Sequence, residues 1–276
     1  MFKIVLMLGL FFAPDDRPLT ISEAKRDVHG VLVHTVASEY QSGTTEIRVL
    51  LPDKRAKGAR YPVVYVLPVE ARDENHYGDG LLEVRRHDLH NARSAIFVAP
   101  TFSDLPWYAD HPSNPEIRQE TYFLKVVVPF VESRYPARAE RDGRLLLGFS
   151  KSGWGAWSLL LRHPDVFGKA AAWDAPMMLD RPGLYGSGPI FGTTENFEHY
   201  QITKLLDRRA SQLRDRERLI LLGYGNFRRE HEAVHAFMRD RAIPHVFEDG
   251  PKRDHRWESG WVPEAVKRLI PEPGRP

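Results

Sequence analysis

The chain has 276 residues, of which 42% are hydrophobic and 11% aromatic, which is enough to bury one large core. Its 39 basic and 37 acidic residues leave a net charge of +2, and no basic tract is interleaved with aromatic residues, so a nucleic-acid partner has no support. Because the chain has no cysteine, disulfides, thiolate metal sites and a cysteine nucleophile are excluded.

The N-terminus has the pattern of a signal peptide over residues 1–13, since Lys3 precedes a run of about ten apolar residues. The run is too short to span a bilayer, so we expect no stable membrane span. No A-x-A cleavage site follows, and Pro14 comes directly after Ala13, which leaves a buried or disordered segment as the alternative. The pattern favours an exported protein, periplasmic or secreted, over a cytoplasmic one.

Residues 28–272 predict a single α/β domain. Residues 28–36 and 45–51 predict an antiparallel hairpin at its start. Short, continuous apolar runs then predict strands that are buried on both faces. These runs cover residues 62–67, 95–99, 145–147 and 219–222, with a weaker one at 170–173, and residues 245–248 predict the last strand.

Helical patterns separate these strands, over residues 116–133, 154–162, 198–214, 229–242 and 263–270. The alternation favours a mostly parallel sheet with helices on both faces, in which ligands bind at the carboxyl ends of the strands. The Gly/Pro-rich segment 176–194 interrupts the alternation. It is a candidate lid or substrate loop, with a plain surface excursion as the alternative.

The segment around Ser150 predicts the nucleophile of a hydrolase. A short strand ends just before it, a helix follows, and Ser150 lies at the sharp turn between them, as in the G-x-S-x-G nucleophile elbow. Gly148 fits this motif, whereas Ser152 stands where the motif has glycine. An ordinary strand-turn-helix with a capping serine is the alternative.

A serine hydroxyl needs a base to take its proton, and His255 is the best-placed candidate. It lies after the last predicted strand and before the C-terminal helix, which is where an α/β-hydrolase carries its histidine. A solvated loop histidine is the alternative.

At these positions the chain resembles a family of α/β-hydrolases that includes esterase D-like, enterochelin esterase-like and feruloyl or acetylxylan esterase-like enzymes. The resemblance is carried by YPVVYVL at 61–67, VPFVESRYP at 128–136, RHPDVFG at 162–168, the Ser150 elbow and HRW at 255–257. It implies the α/β-hydrolase fold and hydrolysis of a carboxylic ester through an acyl-enzyme, without a cofactor or metal. The ester would be a small molecule or be linked to a glycan.

The acid that orients the histidine departs from the family pattern. In the family it usually follows the strand at 219–222, where this chain has Asn226. An amide there can hold the imidazole in the wrong tautomer. Asp174, which follows the strand at 170–173, is therefore the first choice, and Glu230 and Asn226 are the alternatives. A turn or helix cap is the other role open to Asp174.

The oxyanion hole is predicted from the backbone N–H groups of Lys151 and of Val69 or Glu70. The family commonly has His-Gly or Gly-Gly in the second loop. A Glu70 carboxylate facing the hole would oppose the oxyanion by about 4 kcal/mol at contact distance and an effective dielectric constant of 20. We therefore expect Glu70 to point away, to pair with Arg72 or Lys151, or to be protonated.

Aromatic residues near the same strand ends predict a substrate wall, with burial in the core as the alternative. The candidates for this wall are Trp107, Tyr108, Trp154 and Trp257.

Two other functions compete with the esterase. His231, Glu232 and His235 match the H-E-x-x-H motif of zinc metalloproteases, although the apolar stripe of the predicted helix leaves both histidines on its flank. Alternatively, Asn226 and Glu70 indicate an α/β-hydrolase-fold binding protein with weak or no catalysis.

Overall fold

The computed structural model describes residues 18–271. The predicted signal peptide over residues 1–13 lies outside that range. No helix of the described part is both long and apolar enough to cross a membrane.

The strands of the described residues join in one sheet. The strands are β1 Thr20–Ile21, β2 Lys25–Arg26, β3 Leu32–Ala37, β4 Thr44–Leu50, β5 Val63–Val66, β6 Ile96–Pro100, β7 Arg144–Phe149, β8 Lys169–Trp173, β9 Leu219–Tyr224 and β10 His245–Lys252. The α-helices are α1 Gly80–Arg86, α2 Leu89–Ala92, α3 Gln119–Tyr122, α4 Val128–Arg134, α5 Ser150–Arg162, α6 Gly188–Phe191, α7 Thr194–Tyr200, α8 Ile202–Arg209, α9 Arg228–Asp240 and α10 Val262–Leu269. A π-helical turn, Phe123–Val127, joins α3 to α4.

The strand order is β1-β3-β4-β6-β5-β7-β8-β9-β10, with β2 also paired to β3. From β6 to β10 along this order neighbouring strands run parallel, whereas the pairs from β1 to β4, and β4 with β6, are antiparallel. The predicted architecture, a mostly parallel sheet with an antiparallel hairpin at its start, is confirmed.

The core lies in two layers, one on each face of the sheet. Side chains alternate between the layers along β7: Leu146 packs with α5, whereas Leu147 and Phe149 pack with α1 and α10. This burial on both faces explains why β5 to β9 read as continuous apolar runs.

The strand register brings the candidate site together. Phe149 at the end of β7 pairs with Trp173 at the end of β8, and Trp173 pairs with Leu222 in β9. Because these three parallel strands end nearly level, the residues that follow them meet at one edge. Ser150 and Asp174 are therefore neighbours, and the backbone N–H of Ser150 donates to the carbonyl oxygen of Asp174 at 3.2 Å.

Two features of the helices differ from the sequence-based expectation. The helix predicted over residues 198–214 is divided into α7 and α8, because Gln201 between them has an extended backbone with φ −63° and ψ 122°. The short helices α1, α2 and α6 are not predicted by the sequence, since four to seven residues are too few for a periodic pattern to stand out.

Gly155 lets α5 approach Tyr108, whose ring is fully buried. A Cβ atom at Gly155 would lie 2.1 Å from Cδ2 of Tyr108, so we expect Gly155→Ala to lower the free energy of unfolding by about 1–3 kcal/mol. Thermal unfolding measures this loss. Gly188→Ala is the control, because its Cβ would meet its nearest neighbour at an ordinary 3.6 Å. Equal melting temperatures for the two variants would contradict the packing described.

Candidate active site

Ser150 lies at a strained turn between β7 and α5. Its φ of 51° falls in the left-handed region, which is costly for a residue with a side chain. The turn is tight enough that a Cβ at Gly148 would lie 2.3 Å from the carbonyl oxygen of Ser152. This backbone conformation turns the chain sharply at the carboxyl edge of the sheet, where Ser150 retains 8% exposure.

Ser152, the departure from the elbow motif, has a role inside the turn. Its side chain is fully buried, and its hydroxyl donates to the carbonyl oxygen of Phe149 at 2.9 Å and accepts from the Phe149 N–H at 3.1 Å. The hydroxyl therefore fixes the residue that precedes the nucleophile and leaves Ser150 free.

Asp174 follows β8 directly, and its carboxylate is fully buried. Oδ2 accepts a hydrogen bond from Nδ1 of His255 at 2.5 Å. Oδ1 accepts from the backbone N–H groups of Asn226 at 2.7 Å and Phe227 at 2.8 Å. Burial alone would raise the pKa of Asp174, but the hydrogen bonds from His255 and the backbone hold it below its ordinary value. Asp174 is therefore ionised at neutral pH.

The loop after β9 wraps around this carboxylate. A Cβ at Gly225 would lie 2.6 Å from Oδ2 of Asp174, so only glycine allows the close approach. Asn226 stands where the family has its acid, and its backbone N–H, not its side-chain amide, is what contacts Asp174. Of the three acid candidates, Asp174 is the one whose side chain forms a hydrogen bond with His255.

Four aromatic rings surround the imidazole of His255. The ring centroids lie 5.1 Å away for Phe149, 5.4 Å for Tyr77, 5.9 Å for Phe227 and 6.3 Å for Trp173. Because an ionised carboxylate only accepts hydrogen bonds, Nδ1 carries the proton shared with Asp174. Nε2 is then the nitrogen that is able to accept a proton.

Ser150 and His255 line the same open cleft, which has a volume of about 970 Å³. Its other lining residues are Tyr77, Lys151, Tyr185, Asn226, Phe227, Arg228, Arg229, Glu230 and Glu232. Tyr77 and Tyr185 are 39% and 49% exposed, and Tyr185 belongs to the segment 176–194. The role of that segment as a lid stays a prediction.

The predicted substrate wall is wrong, because the structure buries all four of its residues and none lines this cleft. Trp107 and Trp154 pack edge to face at 5.4 Å in the core. The hydroxyl of Tyr108 donates to the carbonyl oxygen of Pro68 at 2.6 Å. Trp257 lies beneath the site, with its ring 5.0 Å from that of Phe149.

The aromatic residues that do line the cleft are Tyr77, Tyr185 and Phe227. They lie in irregular loops, where no hydrophobic period marks them. The signals available to sequence reasoning were the Gly-rich surroundings of Tyr185 and the position of Phe227 directly after a strand-end loop.

Glu70 is buried beside the predicted oxyanion hole. Its Oε1 accepts from the backbone N–H and Nδ1 of His76, at 3.0 and 2.9 Å, and its Oε2 accepts from the Tyr77 N–H at 3.1 Å. Arg72 instead donates to the carbonyl oxygen of Ser103 at 3.3 Å. The carboxylate of Glu70 is thus held by the loop that carries Tyr77.

The other predicted oxyanion-hole residues lie beside Glu70 and Ser150. Val69 is buried directly before Glu70, and Lys151 occupies the first turn of α5. Their backbone N–H groups remain the predicted donors to the oxyanion.

The H-E-x-x-H motif does not fit a zinc site, because its histidines have other partners. Nε2 of His231 accepts the Ala175 N–H at 2.9 Å, and the same ring makes a backbone hydrogen bond at Gly223. His235 contacts His245, with 2.8 Å between Nδ1 and Nε2. Glu230, the second acid candidate, accepts the Met178 N–H at 3.0 Å, and burial raises its pKa.

Comparisons with known proteins show the family and the fold of this chain. Residues 38–260 match the family model described as "Putative esterase". Esterase Rv1288 of Mycobacterium tuberculosis (strain H37Rv) is 31% identical over 139 residues, which cover 49% of this chain and 30% of that protein. The matched region therefore spans less than a third of the curated relative.

Solved structures show the same fold. A ferulic acid esterase aligns with a TM-score of 0.67 at 21% identity, covering 90% of this chain and 99% of its own. The Staphylococcus aureus fluorophosphonate-binding serine hydrolase F aligns with a TM-score of 0.69 at 15% identity, covering 91% of this chain and all of its own. The predicted α/β-hydrolase fold is confirmed.

We expect Ser152→Ala to destabilise the protein by about 1–3 kcal/mol, because it removes two buried hydrogen bonds to Phe149. Chemical denaturation measures the loss. Ser133→Ala, at an exposed serine on α4, should change stability by less than about 0.5 kcal/mol. A Ser152→Ala protein as stable as the parent would show that the hydroxyl does not fix the elbow.

We expect the buried His231 to make the protein less stable in acid. Burial lowers its pKa to about 4, whereas an unfolded histidine titrates near 6.5, so protons favour the unfolded chain between those values. Above about pH 6.5 the neutral His231 makes its full contribution to the free energy of unfolding. As the pH falls this contribution decreases, and at pH 5 it is lower by about 2 kcal/mol. His231→Gln, which retains an acceptor for Ala175, should reduce the drop in melting temperature between pH 7 and pH 5. His29→Gln, at an exposed histidine, is the control and should show the same drop as the parent. If His231→Gln also shows that drop, His231 is not buried in its neutral form.

Proposed function

The chain belongs to the esterase family, and on that basis we propose that it hydrolyses carboxylic esters with Ser150 as nucleophile, His255 as general base and Asp174 as the acid. The observation that carries this proposal is the 2.5 Å hydrogen bond between Asp174 and His255, at the cleft that Ser150 lines. The arrangement has the roles of a Ser-His-Asp triad, in the chain order Ser, Asp, His.

In the proposed reaction, Nε2 of His255 takes the proton of the Ser150 hydroxyl as its oxygen attacks the ester carbonyl carbon. The backbone N–H of Lys151, with that of Val69 or Glu70, donates to the oxyanion of the tetrahedral intermediate. The intermediate collapses when His255 returns the proton to the alcohol that leaves. A water molecule then attacks the acyl-enzyme by the same steps, which releases the acid and restores Ser150.

The electrostatics support this cycle. Asp174 stays ionised because its pKa is low, so it stabilises the imidazolium that forms when His255 takes the proton. The Glu70 carboxylate accepts three hydrogen bonds from residues 76 and 77, which hold it in the loop that carries Tyr77.

Two residues of the sequence indicate a binding protein with weak or no catalysis. These are Asn226, in place of an acid, and Glu70, beside the predicted oxyanion hole. Asn226 supports Asp174 through its backbone, and Glu70 has partners of its own. Both departures are therefore compatible with catalysis.

Hydrolysis of p-nitrophenyl acetate tests the nucleophile. Ser150→Ala should lower kcat/KM by roughly a thousandfold or more and abolish covalent labelling by a fluorophosphonate. Ser152→Ala is the matched control two residues away, and its folded fraction should still be labelled. Activity that survives Ser150→Ala, or that a chelator alone removes, would contradict a serine esterase.

Asp174→Asn tests the acid. In the variant Oδ1 keeps the two backbone N–H groups, so the amide NH₂ faces His255 and forces the proton onto Nε2, where it blocks the base. In a serine protease the corresponding change lowers kcat by roughly 10⁴, and we expect a loss of that order. Glu230→Gln retains the acceptor for Met178 and should retain most of the turnover. A larger loss in Glu230→Gln than in Asp174→Asn would identify Glu230 as the acid.

A further inference from the structure

The cleft around Ser150 contains five charged side chains, of both signs. Some of them are paired with other groups of the protein, and others are not. The guanidinium of Arg228 binds both oxygens of Asp249, at 3.0 and 2.6 Å, and lies 3.3 Å from Oε1 of Glu232. Glu230 accepts a backbone N–H from Met178. Three of the five charged residues that line the cleft are thus engaged by the protein itself.

The remaining two are Lys151 and Arg229, and neither has a carboxylate within ion-pair distance among residues 18–271. Lys151 directly follows the nucleophile and is half-buried, and burial lowers the pKa of its ammonium group. The charge of Glu70 opposes this shift, but its carboxylate accepts hydrogen bonds from His76 and Tyr77 and forms no direct ion pair with Lys151. Arg229 is exposed in the first turn of α9, on another element that borders the cleft.

A half-buried lysine that forms no direct ion pair is costly for a stable fold, and its position beside the nucleophile indicates a ligand that pairs with it. The N-termini of α5 and α9 add partial positive charge to the same cleft. We propose that the natural ester carries an anionic group and that the Nζ of Lys151 binds this group next to the scissile bond. Arg229, on α9, adds a second positive charge that attracts the same group. This inference rests on the proposed esterase function and names the substrate class of that site.

Two esters of equal chain length test the proposal. p-Nitrophenyl hemisuccinate and p-nitrophenyl butyrate have the same leaving group and four acyl carbons, and they differ in a terminal carboxylate against a methyl group. We expect Lys151→Met, which keeps the backbone N–H of the oxyanion hole and most of the side-chain volume, to lower the hemisuccinate-to-butyrate ratio of kcat/KM by about tenfold. The loss should appear mainly as a raised KM, because the contact exists in the ground state as well.

Arg229→Gln should lower the same ratio by a smaller factor, because its side chain is exposed to water and screened by salt. Arg239→Gln is the matched control, since it removes one positive charge from the far end of α9 and its side chain does not line the cleft. Its ratio should stay within about twofold of the parent.

Protection of Ser150 from fluorophosphonate labelling gives a second readout, with monomethyl succinate against methyl butyrate as the competing ligands. Stronger protection by the succinate that is lost in Lys151→Met supports the proposal. Equal protection, or an unchanged ratio in Lys151→Met, overturns it and leaves the esterase function standing. If neither ester is hydrolysed and Ser150 is not labelled, the esterase function itself fails and this inference fails with it.

Discussion

The hydrogen-bonded carboxylate of Asp174 is the interaction on which the site depends. It joins the loops that follow three neighbouring strands, because Asp174 follows β8, Asn226 and Phe227 follow β9, and His255 follows β10. It is also the hydrogen bond that keeps the proton of the imidazole on Nδ1. The level ends of β7, β8 and β9 place Ser150 at the same edge, so the sheet register positions the nucleophile relative to this cluster.

The three departures from the family pattern have local physical explanations. Asn226 is compatible with the site because Gly225 lets the chain pass close enough to Asp174 to donate backbone N–H groups. Ser152 replaces a glycine without crowding the turn, because its hydroxyl binds Phe149. Glu70 is tolerated beside the oxyanion hole because residues 76 and 77 bind its carboxylate. Each residue that appears anomalous in the sequence thus makes hydrogen bonds to neighbouring parts of the site.

The sequence predicts the sheet well, because strands buried on both faces are apolar throughout, and it predicts the positions of Ser150 and His255 from chain order. It leaves three candidates for the acid, since chain order does not show which carboxylate reaches the imidazole. The sequence does not predict the residues that line the cleft, because an aromatic residue near a strand end faces either the cleft or the core. Tertiary packing decides between the two, and it buries Trp154 but leaves Tyr185 exposed.

Whether Asp174 holds the imidazole of His255 is measured at the proton on Nδ1. A proton in a short hydrogen bond to a buried carboxylate is strongly deshielded, and proton NMR of protein with ¹⁵N-labelled histidine assigns it to one ring nitrogen. We predict a strongly deshielded Nδ1 signal that is lost in Asp174→Asn and retained in Glu230→Gln. A signal that survives Asp174→Asn, or disappears in Glu230→Gln, would show that Asp174 does not hold the imidazole.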